Sequence, residues 1–458
     1  VIREMHIWSE GRCRRRLAPS ELCALLAVPE RSYVDHDDRI AQAKRQVVLE
    51  RWRTIVIFDF DQHLFEYPNM WLDHVDPDKK DLALEMTRDE LGYPWLWSRA
   101  ANQLMWIYAK TVPEDGFVSF FGPWQNWKDR KPAEVDYVTD MPASCIDAKA
   151  RVAQLDELGV DKTILFPHFG AVWGRYVHDR LDIIRANLTA WNRWAVTVRQ
   201  DGSERLEPTG HVTLRGGDLG WLENELSYLG KNGIKAAFVS YGLVDGRRMS
   251  HPDHDRAWKA FLDNGIVPIF HIQDADVRAS CLEEGWFSGA IDPLFAALDM
   301  TFSHLGVQVA AADLILNGVF DKFPGLKFAT VELTAGWINP LIGTNEGIPG
   351  STGNVVNGPG LDISYGYEAV ARRHSVELKR LPSEYLRDHF RSTVNPMEPV
   401  KSYVDSGLED NVMFGSDWPH SEGFSSPLTS YKPITDALTP EQNAKLLGGT
   451  AAELLGIA

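Results

Sequence analysis

The stretch Thr54–His63, TIVIFDFDQH, opens as an unbroken apolar run and ends in carboxylate and imidazole side chains. A continuous apolar run, unlike an alternating one, suits a strand buried on both faces. Seven more runs of this kind follow: Lys162–Pro167 (KTILFP), Pro208–Leu214 (PTGHVTL), Ile234–Ser240 (IKAAFVS), Ile266–Gln273 (IVPIFHIQ), Leu326–Glu332 (LKFATVE), Phe390–Asn395 (FRSTVN) and Asn411–Asp417 (NVMFGSD). Between them lie segments with helical patterning, among them Cys145–Leu158, Leu181–Val198, Asp255–Leu262, Val307–Phe320 and Pro440–Leu455. The last follows Thr439-Pro440, an N-cap residue with proline at the first helical position. Eight strands alternating with helices predict an α/β fold of the (β/α)8 TIM-barrel type, with an open doubly wound sheet as the alternative.

Two stretches exceed a minimal barrel. An insertion at about 68–145 follows the first strand, and another at about 341–386 follows the sixth. Loops after barrel strands lie over the active face, so both are candidate lids. Tryptophans cluster between Trp71 and Trp127, where they either line an apolar pocket or pack the insertion onto the barrel. The glycine-rich segment Gly347–Gly366 lacks the G-x-x-x-x-G-K-[ST] pattern of a phosphate loop. Residues 1–53 read as an N-terminal arm, and 54–458 as the barrel.

Composition narrows the function. A formal net charge of −17 disfavours a phosphate-backbone partner, so no nucleic acid is expected. No apolar run is long enough to span a membrane. Cys13, Cys23, Cys145 and Cys281 form no C-x-x-C pair, which argues against a thiolate zinc site and a disulfide scaffold, and for a reducing, cytoplasmic setting.

In a barrel the C-terminal strand ends surround one cavity. Asp61 and His63, two residues apart, point the same way from the first strand. His271 ends the fifth strand, Glu332 the sixth and Asp417 the eighth. Two imidazoles and two carboxylates, with a further carboxylate beside them, suit Zn2+ or Mn2+. His168 (FPHFG) follows the second strand, and His420 lies three residues after Asp417. His304 precedes a helix and faces either the pocket or solvent. All three are candidate substrate-binding residues. Glu66 either orients a ligand or forms a surface ion pair, and Arg175 and Arg215 are candidate partners for a substrate carboxylate.

The order D-x-H, then H, then GSDWPH resembles the amidohydrolase superfamily. Within it, the chain is similar to the amidohydrolase-related group that includes the aminocarboxymuconate semialdehyde and resorcylate decarboxylases. The supporting stretches are FDFDQHLFE (Phe58–Glu66), IFHIQ (Ile269–Gln273), LILNGVFDKFPGLKFATVELTAGWINP (Leu314–Pro340) and VMFGSDWPHSEG (Val412–Gly423). The resemblance implies that Asp61, His63, His271 and Asp417 hold one divalent ion, zinc first and manganese second, and that Asp417 also moves protons. It further implies a homodimer. Asp61 stands where many members carry histidine, and Glu332 where the decarboxylases present one. The second departure orders the expected activities. First comes a metal-dependent hydrolase of a small, aromatic or cyclic substrate, with Asp417 and Glu332 as catalytic groups. A metal-dependent non-oxidative decarboxylase of an aromatic or unsaturated acid is the alternative, and a catalytically inactive binding barrel is a further one.

Overall fold

The computed structural model describes residues 56–88, 94–107, 142–169, 173–272, 302, 304–342, 360–370, 376–420 and 423–457. The expected arm at 1–53, the later tryptophans Trp124 and Trp127, and most of Gly347–Gly366 lie outside these residues.

All eight expected strands are present. The first is split into β1 (Phe58–Asp59) and β2 (His63–Leu64). The insertion after it carries β3 (Leu84–Arg88), β4 (Pro94–Ser98) and β5 (Gln103–Ile107), an antiparallel sheet. The second barrel strand is β6 (Lys162–Pro167). The third is β7 (Leu206–Pro208) with β8 (Gly210–Val212). Then come β9 (Ala236–Val239), β10 (Val267–His271), β11 (Phe328–Val331), β12 (Phe390–Val394) and β13 (Val412–Phe414). Every pairing between barrel strands is parallel. Thr209 donates its N–H to Leu165 O and carries the ladder across the break between β7 and β8. Phe60 N–H donates to Phe414 O at 2.9 Å, and Asp417 N–H to Asp61 O at 2.8 Å, joining the last strand to the first. The result is a (β/α)8 barrel.

Inward residues of successive strands fill the barrel: Phe58, Phe60, Ile164, Phe166, Ile269, Ala329, Val331 and Met413. The chain's last helix, Thr450–Leu455, adds Ala451, Leu454 and Leu455 to that core. The helix Ala148–Leu158 starts at Asp147, whose side chain accepts from Ala150 N–H at 2.8 Å, and stops at Gly159 with φ 72°. That left-handed position is one only glycine takes without strain. The helix expected over Val307–Phe320 begins earlier, at His304, and is interrupted at Gly318. The long helix Leu181–Asp201 pins the insertion, because Asn187 accepts from Leu84 N–H and donates to Leu82 O. Trp71 is fully buried with its ring 6.1 Å from that of Phe169, so this tryptophan packs the insertion down. No helix among the described residues is long and apolar enough to cross a membrane.

Candidate metal centre

Parallel strands all point their C-terminal ends to one face, so the polar residues that follow each apolar run meet there. Asp61, His63 and His271 offer ligand atoms within 4.8 Å of one another, as do His63, Glu332, Asp417 and His420. His63 Nε2 lies 3.7 Å from Asp61 Oδ1 and 3.3 Å from Asp417 Oδ1. His271 Nε2 lies 3.8 Å from Asp61 Oδ1 and 3.4 Å from Glu332 Oε2. These gaps are too wide for good hydrogen bonds. They match donors that share an ion: two atoms each about 2.1 Å from one metal stand about 3–3.5 Å apart.

The histidine tautomers agree. His63 Nδ1 faces Pro167 O at 3.4 Å, and His271 Nδ1 faces Ile272 O at 2.9 Å. A carbonyl can only accept, so each Nδ1 carries the proton and each Nε2 presents a lone pair. Both Nε2 atoms are buried and make no hydrogen bond with a described residue. Burial, then the neighbouring imidazoles of His420, His271 and His168, hold the His63 pKa well below its ordinary value, so this ring is neutral. Burial also pushes His271 down, but Asp61 and Glu332 outweigh it and the net shift is upward. The Glu332 carboxyl is driven well above its usual range by burial and by the charge of Asp417. An enclosure of three carboxylates that drives protons onto its own members is one built for a cation. The residues present therefore fit a divalent ion.

The backbone at the two key strand ends is unusual. Glu332 has φ 56° and Asp417 φ 54°, both left-handed and neither glycine. Such conformations cost about 1–3 kcal/mol each and collect at functional sites. Glu332 N–H is held by Thr393 Oγ1 at 3.1 Å. In the GSD segment, a Cβ on Gly415 would sit 2.8 Å from Asp61 Cβ, so only glycine lets the eighth strand approach the first this closely.

Around the centre, the ring of His420 stacks on His63 at 3.8 Å between centroids. Its Nδ1 contacts Asp417 Oδ1 at 2.9 Å, and its Nε2 contacts His168 Nδ1 at 3.0 Å. His168 in turn stacks on Phe65 at 3.9 Å. Asp61, His63, His271, Glu332, Asp417, His168 and His420 thus join one cluster, and His304 does not. That residue opens its helix half-buried and makes no hydrogen bond or ion pair with any described residue. Glu66 is buried and accepts from Phe169 N–H at 3.2 and 3.1 Å, so it fixes the loop beside His168. Arg215 pairs with Asp245 at 3.3 Å. The side chain of Arg175 lies outside the described residues.

Three supporting residues were not singled out in the sequence. Asp59 is buried. It accepts from Ser416 N–H at 2.9 Å and Gln62 Nε2 at 2.8 Å, and burial lifts its pKa to about 7 against those hydrogen bonds. Arg151 is fully buried. Its guanidinium donates to Ser144 O and His63 O, each at 2.7 Å, and to Gln62 Oε1 at 3.2 Å, and it lies over the Trp418 ring at 4.3 Å. His211, inside the third strand, packs its ring 4.4 Å from Phe238, which lies 6.0 Å from His271. The strand run PTGHVTL carried the signal for His211; nothing comparable marked Arg151.

A parallel barrel with a buried imidazole–carboxylate enclosure at its C-terminal face defines an enzyme of the amidohydrolase superfamily. The family model described as Amidohydrolase matches residues 59–457, and the chain belongs to that family. No curated protein matches the sequence. Among solved structures, the chain is similar to an amidohydrolase from Mycobacterium avium subsp. paratuberculosis K-10, with TM-score 0.66 and 20% identity over 88% of this chain and 99% of that one. It is also similar to 5-carboxyvanillate decarboxylase from Sphingomonas paucimobilis, with TM-score 0.54 and 16% identity over 88% and 100% of the two chains. A mutant 5-carboxyvanillate decarboxylase from Novosphingobium aromaticivorans, with bound manganese and 3-methoxy-4-hydroxy-5-nitrobenzoic acid, has TM-score 0.55 and 16% identity over 88% and 97%. At these identities the likeness is one of fold.

Proposed function

We propose that this protein is a metal-dependent, non-oxidative decarboxylase of an aromatic or unsaturated carboxylic acid. Asp61, His63, His271 and Asp417 hold one divalent ion, and Glu332 is the proton donor. The observation that carries this reading is the Glu332 carboxyl, half-buried, 3.4 Å from His271 Nε2 and biased toward its protonated form beside the carboxylates of Asp61 and Asp417. Replacing a carboxylate by hydrogen needs an acid poised at carbon, whereas hydrolysis, the first expectation from sequence, needs a base at water.

When bound, the ion would supply positive charge against the substrate carboxylate. The protein's own groups do the rest. The bond between the ring carbon and its carboxylate breaks, CO2 leaves, and the electron pair left on carbon takes the proton of Glu332; solvent then restores that proton. His420 fixes Asp417 Oδ1, and the rings of His168 and His420 flank the substrate. Phe166 and Phe238, whose rings lie 4.7 and 6.0 Å from His271, give an apolar wall suited to a planar substrate. Asp417, whose loss would mark an inactive barrel, is present and buried.

The donor set of two imidazoles and two carboxylates accepts manganese as well as the zinc expected first. The decarboxylase from Novosphingobium aromaticivorans, with its bound manganese and nitrobenzoic acid, supports both the metal and the aromatic-acid substrate class. The same reading keeps the homodimer implied by the resemblance, which the mass in solution would check.

The test is to incubate manganese-loaded protein with a panel of hydroxylated benzoic acids in D2O, following CO2 release and product NMR. A product with one deuterium in place of the carboxylate is expected. Turnover of lactones or amides with no CO2 from any acid would return the assignment to hydrolysis.

A further inference from the structure

At the opposite end of the barrel, beneath the N-terminal ends of β11, β12 and β13, lies a cavity of about 990 Å³. That volume is in the range of small-molecule sites. Six cationic side chains line it: Lys327, Lys379, Arg380, Arg387, Arg391 and Lys445. In a chain of net charge −17 such a concentration is out of character.

Some of these charges are already matched. Arg380 pairs with Asp388, Lys445 pairs with Asp410 and with Glu409 at 3.2 Å, and Arg387 donates to the carbonyls of Ser406 and Gly407. Asp321 accepts from the Tyr385 hydroxyl and from Lys379 N–H. The ammonium groups of Lys327 and Lys379 have no acceptor among the described residues. Glu453, the remaining carboxylate of the lining, forms no ion pair with a described residue.

Arg391 is the informative side chain. It is 7% exposed and sits in register with Ala329 of the barrel core. Among the described residues only its Nη1 finds acceptors, donating to the carbonyls of Arg387, Asp388 and Phe390 at the end of the helix Pro382–His389. Capping a helix C-terminus is an ordinary use for a cation. It leaves three of the five guanidinium N–H groups, on Nε and Nη2, without an acceptor among the described residues. The Nε–Nη2 edge is the fork that binds a carboxylate or phosphate through two parallel hydrogen bonds.

We propose that this cavity is a binding site for a small oxyanion, a dicarboxylate or a phosphate, gripped by the Nε–Nη2 edge of Arg391 and by the ammonium groups of Lys327 and Lys379. The site is separate from the metal centre and does not depend on the proposed decarboxylation.

Calorimetric titration of the full chain with inorganic phosphate, and separately with succinate, tests it. Saturable binding of one anion per chain is expected. Affinity should fall at least about tenfold in Arg391→Gln and in the double variant Lys327→Ala/Lys379→Ala. Glu453→Gln, which removes a competing carboxylate, should tighten binding. A response to phosphate alone assigns a phosphorylated ligand, and one to succinate alone a dicarboxylate. Because Arg391 also caps a helix, the double lysine variant decides if Arg391→Gln does not fold. The proposal is overturned if neither anion saturates by about 10 mM, if the lysine variant binds as wild type, or if binding is lost in His271→Ala, which would move it to the metal centre.

Discussion

Replacing Arg151 by methionine keeps the side chain's length and apolar stem but removes three hydrogen bonds inside the barrel wall. Two are to main-chain carbonyls, Ser144 O and His63 O at 2.7 Å, and one is to Gln62 Oε1 at 3.2 Å. Each buried acceptor left without a donor costs about 1–3 kcal/mol. Removing the guanidinium also relieves its own burial, which has already pulled its pKa down to about 10, so the group is charged at pH 7 but dearly held. The balance is a loss of about 3–5 kcal/mol, the usual figure for breaking a buried charged network from one side. Arg151 bonds the carbonyl of His63 itself, so the second effect falls on the ion. Loss of a supporting partner of this kind weakens metal affinity about 10–100-fold. Urea unfolding and manganese titration read the two effects separately. Arg151→Lys, which carries the charge without the fork, should fall between wild type and Arg151→Met in both. If Arg151→Met stays within about 0.5 kcal/mol of wild-type stability and binds manganese as wild type does, the network does not position His63.

Elemental analysis should find about one divalent ion per chain, lost in His271→Ala and in Asp61→Asn, because each removes a donor from a small enclosed set; retention in both would place the ion elsewhere. Glu332→Gln should keep the ion and a near-normal KM while kcat drops about 10²–10⁴-fold, the range for a general acid; an unchanged kcat would assign the proton to another group. His211 gives a pH signature: burial lowers its pKa to about 3, whereas the unfolded chain titrates near 6.5. Between those values the unfolded state binds a proton that the folded state refuses, so stability falls as pH drops. The loss is about 2 kcal/mol from pH 7 to pH 5. His211→Phe should flatten that part of the unfolding profile, and an unaltered slope would show that the ring is not excluded from protonation.

The sequence exposed the strands and the side chains of the candidate centre for one physical reason. A parallel barrel gives every strand the same direction, so a polar residue closing an apolar run is delivered to the same face whichever strand carries it. Asp61, His63, His271, Glu332 and Asp417 are all of this kind. His304 lacked that support: 33 residues past His271, it is placed by a helix start, and it stays outside the cluster. Arg151 was hidden for the converse reason. It sits in AKARVAQLDEL, a helix whose polar composition reads as a solvent face, and its partners Gln62 and His63 are 89 and 88 residues away. Only the folded wall brings them together.

Glu332 and Asp417 show what a one-letter pattern conceals. Nothing about glutamate or aspartate announces left-handed backbone, which ordinarily calls for glycine, yet both adopt it one residue or a few past their strands. The ladder explains how they are held there. Glu332 N–H is taken by Thr393 Oγ1, and Asp417 N–H by Asp61 O at 2.8 Å, so each strained residue is fixed by the neighbouring strand and not by its own. An extended backbone would alternate these side chains in and out with the strand pleat. The left-handed turn frees both carboxyls from that alternation and presents them to His63 and His271. The strain of about 1–3 kcal/mol at each position is therefore coupled to the site's geometry: it falls on the two residues whose carboxyls the proposed chemistry needs at a fixed place.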